Sequence, residues 1–307
     1  MTAIHAPVPG TCGAAADDYL CQDLIERFRT GLGKRHFFIV GCQKSGTTWI
    51  QHLLDGHPEL RCHGETYLAA VLAPLLKQVQ QAYNQRQNAG HVGEMRDEDL
   101  IAIFRVAAGI NMARWIEDTE DAAAIKVIGE KTPEHTLCMP TLLAAFPDAR
   151  FIHIIRDARD VCVSGWFHNL RDGGETFRQR FPELNSYIQY TLTHHWKPYI
   201  QQARAFGGGH AHRYLELRYE SLHEQPEVEI GRMLQFLEVD DGEASIAACA
   251  KAGSFERLAG GRGQGQEDRG SFFRKGVVGD WRNHFDASNI ATCQHCAGDM
   301  LRELGYE

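Results

Sequence analysis

An α/β fold on a doubly wound parallel sheet, interrupted by helical insertions, follows from three features of this 307-residue chain. Short apolar runs recur along it, each run ends in turn or polar residues, and a helical pattern comes next. Strands buried on both faces of a parallel sheet read as such runs, and strand–helix alternation marks βα units. The runs are residues 36–40, 124–128 and 150–155, with 214–218 as a weaker fourth. A helix is expected to leave the first run's loop over 49–54. Residues 226–237 are amphipathic, with Val228, Ile230, Met233, Leu234 and Leu237 on one side. Two insertions break the alternation. Residues 66–121, rich in Gln, Ala and Leu with a polar break at 87–94, predict two or more helices, and residues 175–206 predict a second helical block. Residues 1–30 are expected to be a flexible lead-in to one domain over 31–307, with a further flexible segment at 260–265.

Composition narrows the function. The 43% hydrophobic and 23% charged content is ordinary for a globular protein. With 32 basic and 40 acidic residues the formal net charge is −8, so no bulk attraction to nucleic acid or anionic lipid is expected, and any anion site must be local. No basic n-region opens the chain, and no window reaches the roughly 18–20 apolar residues of a membrane span. The nine cysteines are odd in number and scattered, which suits a reduced, cytoplasmic protein. Cys293 and Cys296 have CxxC spacing without a second pair, so a helix surface is expected there and no metal.

The densest chemistry lies in Gly41-Cys-Gln43-Lys44-Ser45-Gly46-Thr47-Thr48-Trp49, a glycine-containing loop between a strand and a helix. Backbone N–H groups of such a loop converge on an anion at a helix N-terminus, and Ser45, Thr47 and Thr48 add hydroxyl donors. A nucleoside triphosphate loop would need Gly-x-x-x-x-Gly-Lys-Ser/Thr. Gly41 and Gly46 have that spacing, but Thr47 stands where the lysine belongs, and Lys44 precedes the second glycine by two residues. A Mg²⁺-triphosphate is therefore disfavoured. Arg156, directly after the third run, falls at the sheet's carboxyl edge, with Ser164 one or two helical turns on. Together they can hold a second phosphate. The alternative for this stretch is that Asp157, Arg159 and Asp160 form a surface ion-pair cluster of little energetic worth.

These segments resemble the sulfotransferases that use 3′-phosphoadenosine 5′-phosphosulfate (PAPS), a family sharing the P-loop kinase architecture. Lys44–Trp49 resembles the family's 5′-phosphosulfate loop, and Arg156–Ser164 its 3′-phosphate motif. Tyr219-Glu-Ser-Leu, Ser254-Phe255 and Arg274-Lys-Gly-Val-Val-Gly-Asp-Trp-Arg-Asn-His-Phe285 complete the set, so the likeness runs over residues 36–285. It implies sulfuryl transfer to an acceptor hydroxyl or amine by in-line displacement, with 3′,5′-adenosine bisphosphate (PAP) as product. Gln43, Lys44, Ser45, Gly46, Thr47 and Thr48 would hold the 5′ end. Arg156, Ser164, Arg274, Lys275 and the Gly276 amide would hold the 3′-phosphate. Trp49 and Phe255 would sandwich adenine, with Tyr219 and Ser254 nearby. Lys44 would neutralise charge on the leaving oxygen. Gly253 departs from the threonine usual before Ser254 in the cytosolic branch, so one adenine contact is expected to be missing.

The base divides the family's branches. Cytosolic members place a histidine after Lys-Thr, whereas here Glu130-Lys131-Thr132-Pro133 puts proline there. Residues 57–66 and Glu130–Pro133 resemble instead the tyrosylprotein and carbohydrate branch, whose base is a glutamate. Glu65 is therefore assigned as general base, through a pKa raised by burial or by accepting the proton late, with His135 and His63 in reserve. Lys131 would steady the sulfuryl oxygens, beside Lys44 and Ser164. The acceptor is expected to be a small molecule or carbohydrate, with a second copy of the chain as the protein partner considered. Its pocket is expected from the insertions, where Phe104, Trp115, Trp166, Phe167, Phe177 and Tyr187 suit a partly apolar alcohol or phenol.

Overall fold

The alternation within each central strand explains how the sheet is covered on both sides. In β1 (Arg35–Val40), Phe37 and Ile39 join one buried cluster and Phe38 and Val40 another. Successive side chains of a strand point to opposite faces, so an unbroken apolar run feeds two cores at once. The structure, a computed structural model, describes residues 14–86, 93–117, 119 and 121–306. Its five described strands, β1, β2 (Leu60–Gly64), β3 (Val127–Lys131), β4 (Arg150–Ile155) and β5 (Tyr214–Arg218), are parallel in the order β2-β3-β1-β4-β5. One face packs on helices Thr47–Asp55, Pro226–Leu237 and Glu243–Ala252. The other packs on Asp97–Glu117, Met139–Ala145 and Lys197–Gly209. Order reverses beside β1, and crevices outside the carboxyl ends of strands at such a switch point are where open α/β sheets bind ligands.

Three runs form strands as the sequence predicts, while two strands differ. β3 lies three residues later than the apolar run, because it continues through Gly129, Glu130 and Lys131, all buried. Gly129 is required there, since a Cβ would sit 2.0 Å from Cζ of Phe37 on β1. β2 was not foreseen. It is an edge strand with Leu60 and Cys62 buried but Arg61 and His63 turned out, so only half of it is apolar.

The insertion 66–121 forms helices Ala73–Arg86 and Asp97–Glu117, and most of the polar break at 87–94 lies outside the described residues. The block 175–206 is helical over Gly174–Arg180, Leu184–Thr191 and Lys197–Gly209. A helix, Ala14–Leu32, runs through the stretch expected as a lead-in. It crosses Asp97–Glu117 at Gly31 and Gly109, where a Cβ on Gly31 would meet the Gly109 carbonyl oxygen at 2.0 Å. Cys293 and Cys296 lie on helix Ala287–Glu303, with Cys293 buried rather than on the surface. No helix among the described residues is long and apolar enough to cross a membrane.

Candidate active site

Past β1 the chain turns through three left-handed residues, Gly41 (φ 147°), Lys44 (φ 69°) and Gly46 (φ 107°). Glycine is needed at two of them for space as well. A Cβ on Gly41 would meet the Ile154 carbonyl oxygen at 2.6 Å, and one on Gly46 would meet the Tyr219 ring at 2.7 Å. Thr136 Oγ1 accepts from the Gly41 amide at 2.8 Å and anchors the loop's start. Helix Thr47–Asp55 begins at Gly46 with no side-chain cap, which leaves its first amides free for an anion. The Ser45 hydroxyl is buried beneath the loop without a hydrogen-bond partner.

Lys44 is the poised cation of the site. Its Nζ lies 4.2 Å from the Phe272 ring centroid. Burial, with Arg171 and Arg156 adding repulsion, lowers its pKa from 10.5 to about 8. Arg156 leaves the end of β4 and is nearly buried. It donates to the Lys44 and Val277 carbonyls, both at 3.2 Å, with its guanidinium 4.0 Å from the Tyr219 ring centroid. Its Nε has no partner. A buried, unsatisfied guanidinium N–H beside the loop is what an anion-binding site leaves open.

Residues 157, 159 and 160 are buried, which removes the alternative of a surface cluster. Asp157 caps helix Ala158–Asp172 and pairs with Arg159 at 2.7 Å. Asp160 accepts from the amides of Gly279 at 2.6 Å and Trp281 at 2.9 Å, tying the basic turn to this helix. Arg274 donates to Glu267 at 2.5 Å and to Asp280, and Lys275 donates to Asp280 at 2.6 Å. Burial pulls the Asp280 carboxyl up, but Lys275, Arg274 and Asn283 outweigh it and hold it well below the usual carboxylate range. Gly276 needs its φ of 65°, and a Cβ there would overlap the Phe255 ring at 2.3 Å.

A single cavity of about 660 Å³ joins these parts. Of the residues singled out in the sequence, it is lined by Gln43, Lys44, Gly46, Thr47, Thr48, Trp49, Glu65, Arg156, Ser164, Tyr219, Phe255, Arg274, Lys275 and Gly276. Ser45, Lys131 and Ser254 are not part of this lining, and Ser254 opens the short helix Phe255–Leu258. Trp49 Nε1 donates to the Gly253 carbonyl at 2.9 Å. The glycine that departs from the family pattern has a packing cause, because a Cβ at 253 would meet Leu53 Cδ2 at 2.4 Å.

Glu65 follows β2, and its amide donates to the Lys131 carbonyl at 2.7 Å, extending the β2–β3 ladder by one residue. Lys131 Nζ donates to Glu65 Oε1 at 2.5 Å and the Tyr67 hydroxyl to Oε2 at 2.7 Å. Burial raises the Glu65 pKa, but these two hydrogen bonds prevail, so the net shift is downward, against the burial-raised one of the two expected alternatives. Lys131 is buried beneath Glu65 and is not part of the cavity lining, so its ammonium backs the carboxylate. His135 is fully buried, 3.2 Å from Glu130, and accepts from the Ala69 amide. His63 stacks on Trp115 outside the cavity. Neither reserve histidine reaches the cavity.

Beyond Lys44 the walls are Phe177, Phe181, Tyr187, Tyr190 and Thr191 from the second insertion, but only Tyr67 from the first. Phe104 and Trp115 pack against the sheet, Trp166 backs the aromatic wall, and Phe167 packs on Arg274 and His284. Sequence reasoning missed His168 and Glu134. His168 lies one turn beyond Ser164 and is lowered to about 4, mainly by burial and then by Lys44. Phe272 and Phe273 were also missed, although two aromatics beside Arg274 could have signalled them.

The model of the sulfotransferase family matches residues 36–243. Protein-tyrosine sulfotransferase A of Caenorhabditis elegans is 27% identical over 217 residues, covering 66% of this chain and 49% of its own. Human sulfotransferase 1E1 is 27% identical over 189 residues, covering 57% and 62%. The matched part thus spans about half to three fifths of these relatives. The fold is similar to mouse sulfotransferase SULT7A1 complexed with PAP, with TM-score 0.56, 18% identity and 91% of each chain covered. It is also similar to sulfotransferase STF9 of Mycobacterium avium, with TM-score 0.51, 15% identity and coverage of 94% and 81%. With its family model matched over two thirds of its length, by motifs that converge on one cavity, this chain belongs to the sulfotransferase family.

Proposed function

We propose that this protein moves a sulfuryl group from PAPS to the hydroxyl of a small aromatic acceptor. The observation that carries the reading is the single cavity in which two separate basic segments meet an aromatic chamber. A donor with anionic groups at both its 5′ and 3′ ends needs two such segments. Loop residues 43–48 would hold the 5′ phosphosulfate. Arg156, Ser164, Arg274, Lys275 and the Gly276 amide would hold the 3′-phosphate, with Trp49 and Phe255 against adenine. In the transfer, an acceptor oxygen forms a bond to sulfur as the bond from sulfur to the 5′-phosphate oxygen breaks. Lys44 neutralises charge on that leaving oxygen, and Glu65 takes the acceptor proton. Lys131 and Tyr67 hold the Glu65 carboxylate in place and ionised. With its pKa low, Glu65 works by taking the proton late, when the acceptor oxygen has already become acidic. A cytoplasmic setting suits the seven cysteines whose side chains the structure describes, all free.

Titration calorimetry with PAP against ATP–Mg²⁺ tests the donor, with micromolar or tighter PAP binding expected and no competition from ATP. Transfer of labelled sulfate from PAPS to a phenol panel tests the reaction. Tight ATP binding without PAP binding overturns the reading.

A further inference from the structure

The aromatic chamber holds polar groups that the donor does not use. Glu134 stands in the turn Pro133–Cys138 after β3, and His195 faces the same space. Glu134 Oε1 accepts from Gln43 Nε2 at 2.7 Å, and that amide also lies 3.3 Å from the Tyr199 hydroxyl. Glu134 Oε2 is buried and has no hydrogen-bond partner, and neither does His195 Nδ1. Among the described residues no ion pair includes Glu134. Leaving one buried carboxylate oxygen unsatisfied costs about 1–3 kcal/mol or more, so a cavity that keeps one open is complete only when a ligand supplies the donor.

Resting on the sulfuryl-transfer reading, we propose that the acceptor is a phenol or aromatic alcohol bearing a protonated amine, which Glu134 Oε2 binds while the ring lies among Phe177, Phe181, Tyr187 and Tyr190. An ammonium suits an uncompensated carboxylate better than a neutral hydroxyl, because it adds the attraction of opposite charges to a hydrogen bond that either donor makes to the carboxylate oxygen. A competing cation on this side is Arg180, whose guanidinium lies 5.1 Å from the Phe181 ring and 4.7 Å from the Tyr190 ring. It is exposed, so solvent screens it, whereas the Glu134 oxygen is buried and acts at short range.

The test compares PAPS-dependent sulfation of tyramine and of 4-propylphenol, which differ only by the ammonium, in wild type and Glu134→Gln. The wild type should prefer tyramine by about ten- to a hundredfold in kcat/KM, the range for one charged hydrogen bond. Glu134→Gln should erase that preference through KM, with kcat and the 4-propylphenol reaction within about twofold of wild type. Glu134→Asp should restore part of it. PAP titration and thermal denaturation check that each variant is folded and donor-competent. An equal loss on both phenols, or a loss confined to kcat, makes Glu134 part of the chemistry and overturns the proposal. No preference in the wild type overturns it too. Transfer to 4-propylphenol without a tyramine preference sinks this inference alone, whereas transfer to neither phenol sinks the aromatic-acceptor reading as well.

Discussion

Arg274 and Lys275 face the cavity already bonded to Glu267 and Asp280, whereas Lys44 faces it with an aromatic ring beneath and no carboxylate within ion-pair distance among the described residues. The first arrangement fixes cations in place and spends part of their charge on the protein's own acids. The second leaves one charge unspent in a partly dry site, where burial has already lowered its pKa to about 8. A group that only needs to be held can be met by a rigid, half-neutralised clamp. Charge that develops during a reaction is best met by a cation with nothing else to neutralise. On the proposed reading, the difference gives binding to the 274–276 turn and chemistry to Lys44.

The largest break of that comparison is Lys44→Ala. Transfer should fall by about a thousandfold, at the upper end of what one donor to developing charge supplies. PAP affinity should fall only a few-fold, because the loop amides remain. Labelled-sulfate turnover and PAP titration on the same variant check this, and comparable losses in both would return Lys44 to plain binding. The lowered pKa adds a pH signature. Lys44 is charged below about 8 and neutral above it in the free protein, so kcat/KM should be level near pH 7 and fall about tenfold per unit above 8. Lys44→Arg, which stays charged, should remove that alkaline fall whatever its rate at neutral pH.

Glu65 and His135 form a second contrast, between a carboxylate at the cavity and an imidazole sealed behind it. Glu65→Gln should lower kcat by about a hundredfold or more while leaving folding intact, since its side chain is 42% exposed. His135→Ala should instead cost about 2–4 kcal/mol of stability, because it empties a fully buried site and strips partners from Glu130 and the Ala69 amide. Denaturant midpoints and kcat measured side by side separate the two. A kcat loss in folded His135→Ala would displace Glu65 as base.

How much of this could be read from sequence follows from where each signal resides. β1, β4 and β5 were legible because apolar runs ending in turn residues are local. β3 was displaced by three residues because its carboxyl end is polar yet buried, the composition that a site at the sheet edge demands. β2 was invisible because half of an edge strand faces outward, although it delivers Glu65. The donor segments carry motifs, and the fold brings most of them to one cavity. Ser45, Lys131 and Ser254 fall outside its lining because a motif states neighbours along the chain, not which side chains face a space. Glu134 and His195 had no local signature, since what distinguishes them is a missing partner in three dimensions.

The smallest expected effect probes the clamp itself. Asp280 is nearly buried and accepts from Arg274, Lys275 and Asn283, with His284 at 3.2 Å. Removing its charge acts in two directions. It raises the positive potential toward a phosphate, and it releases two long side chains whose geometry it had set. The second should prevail, because the potential of partly exposed cations is screened by salt while ordering a released side chain costs about 1–2 kcal/mol of rotamer entropy. Asp280→Asn should therefore weaken PAP binding by about five- to tenfold, with kcat at saturating PAPS within about twofold. Tighter binding in Asp280→Asn would mean that the carboxylate acts as a competing anion rather than a brace. The 274–276 turn would then be, like Lys44, a site that waits for its charge.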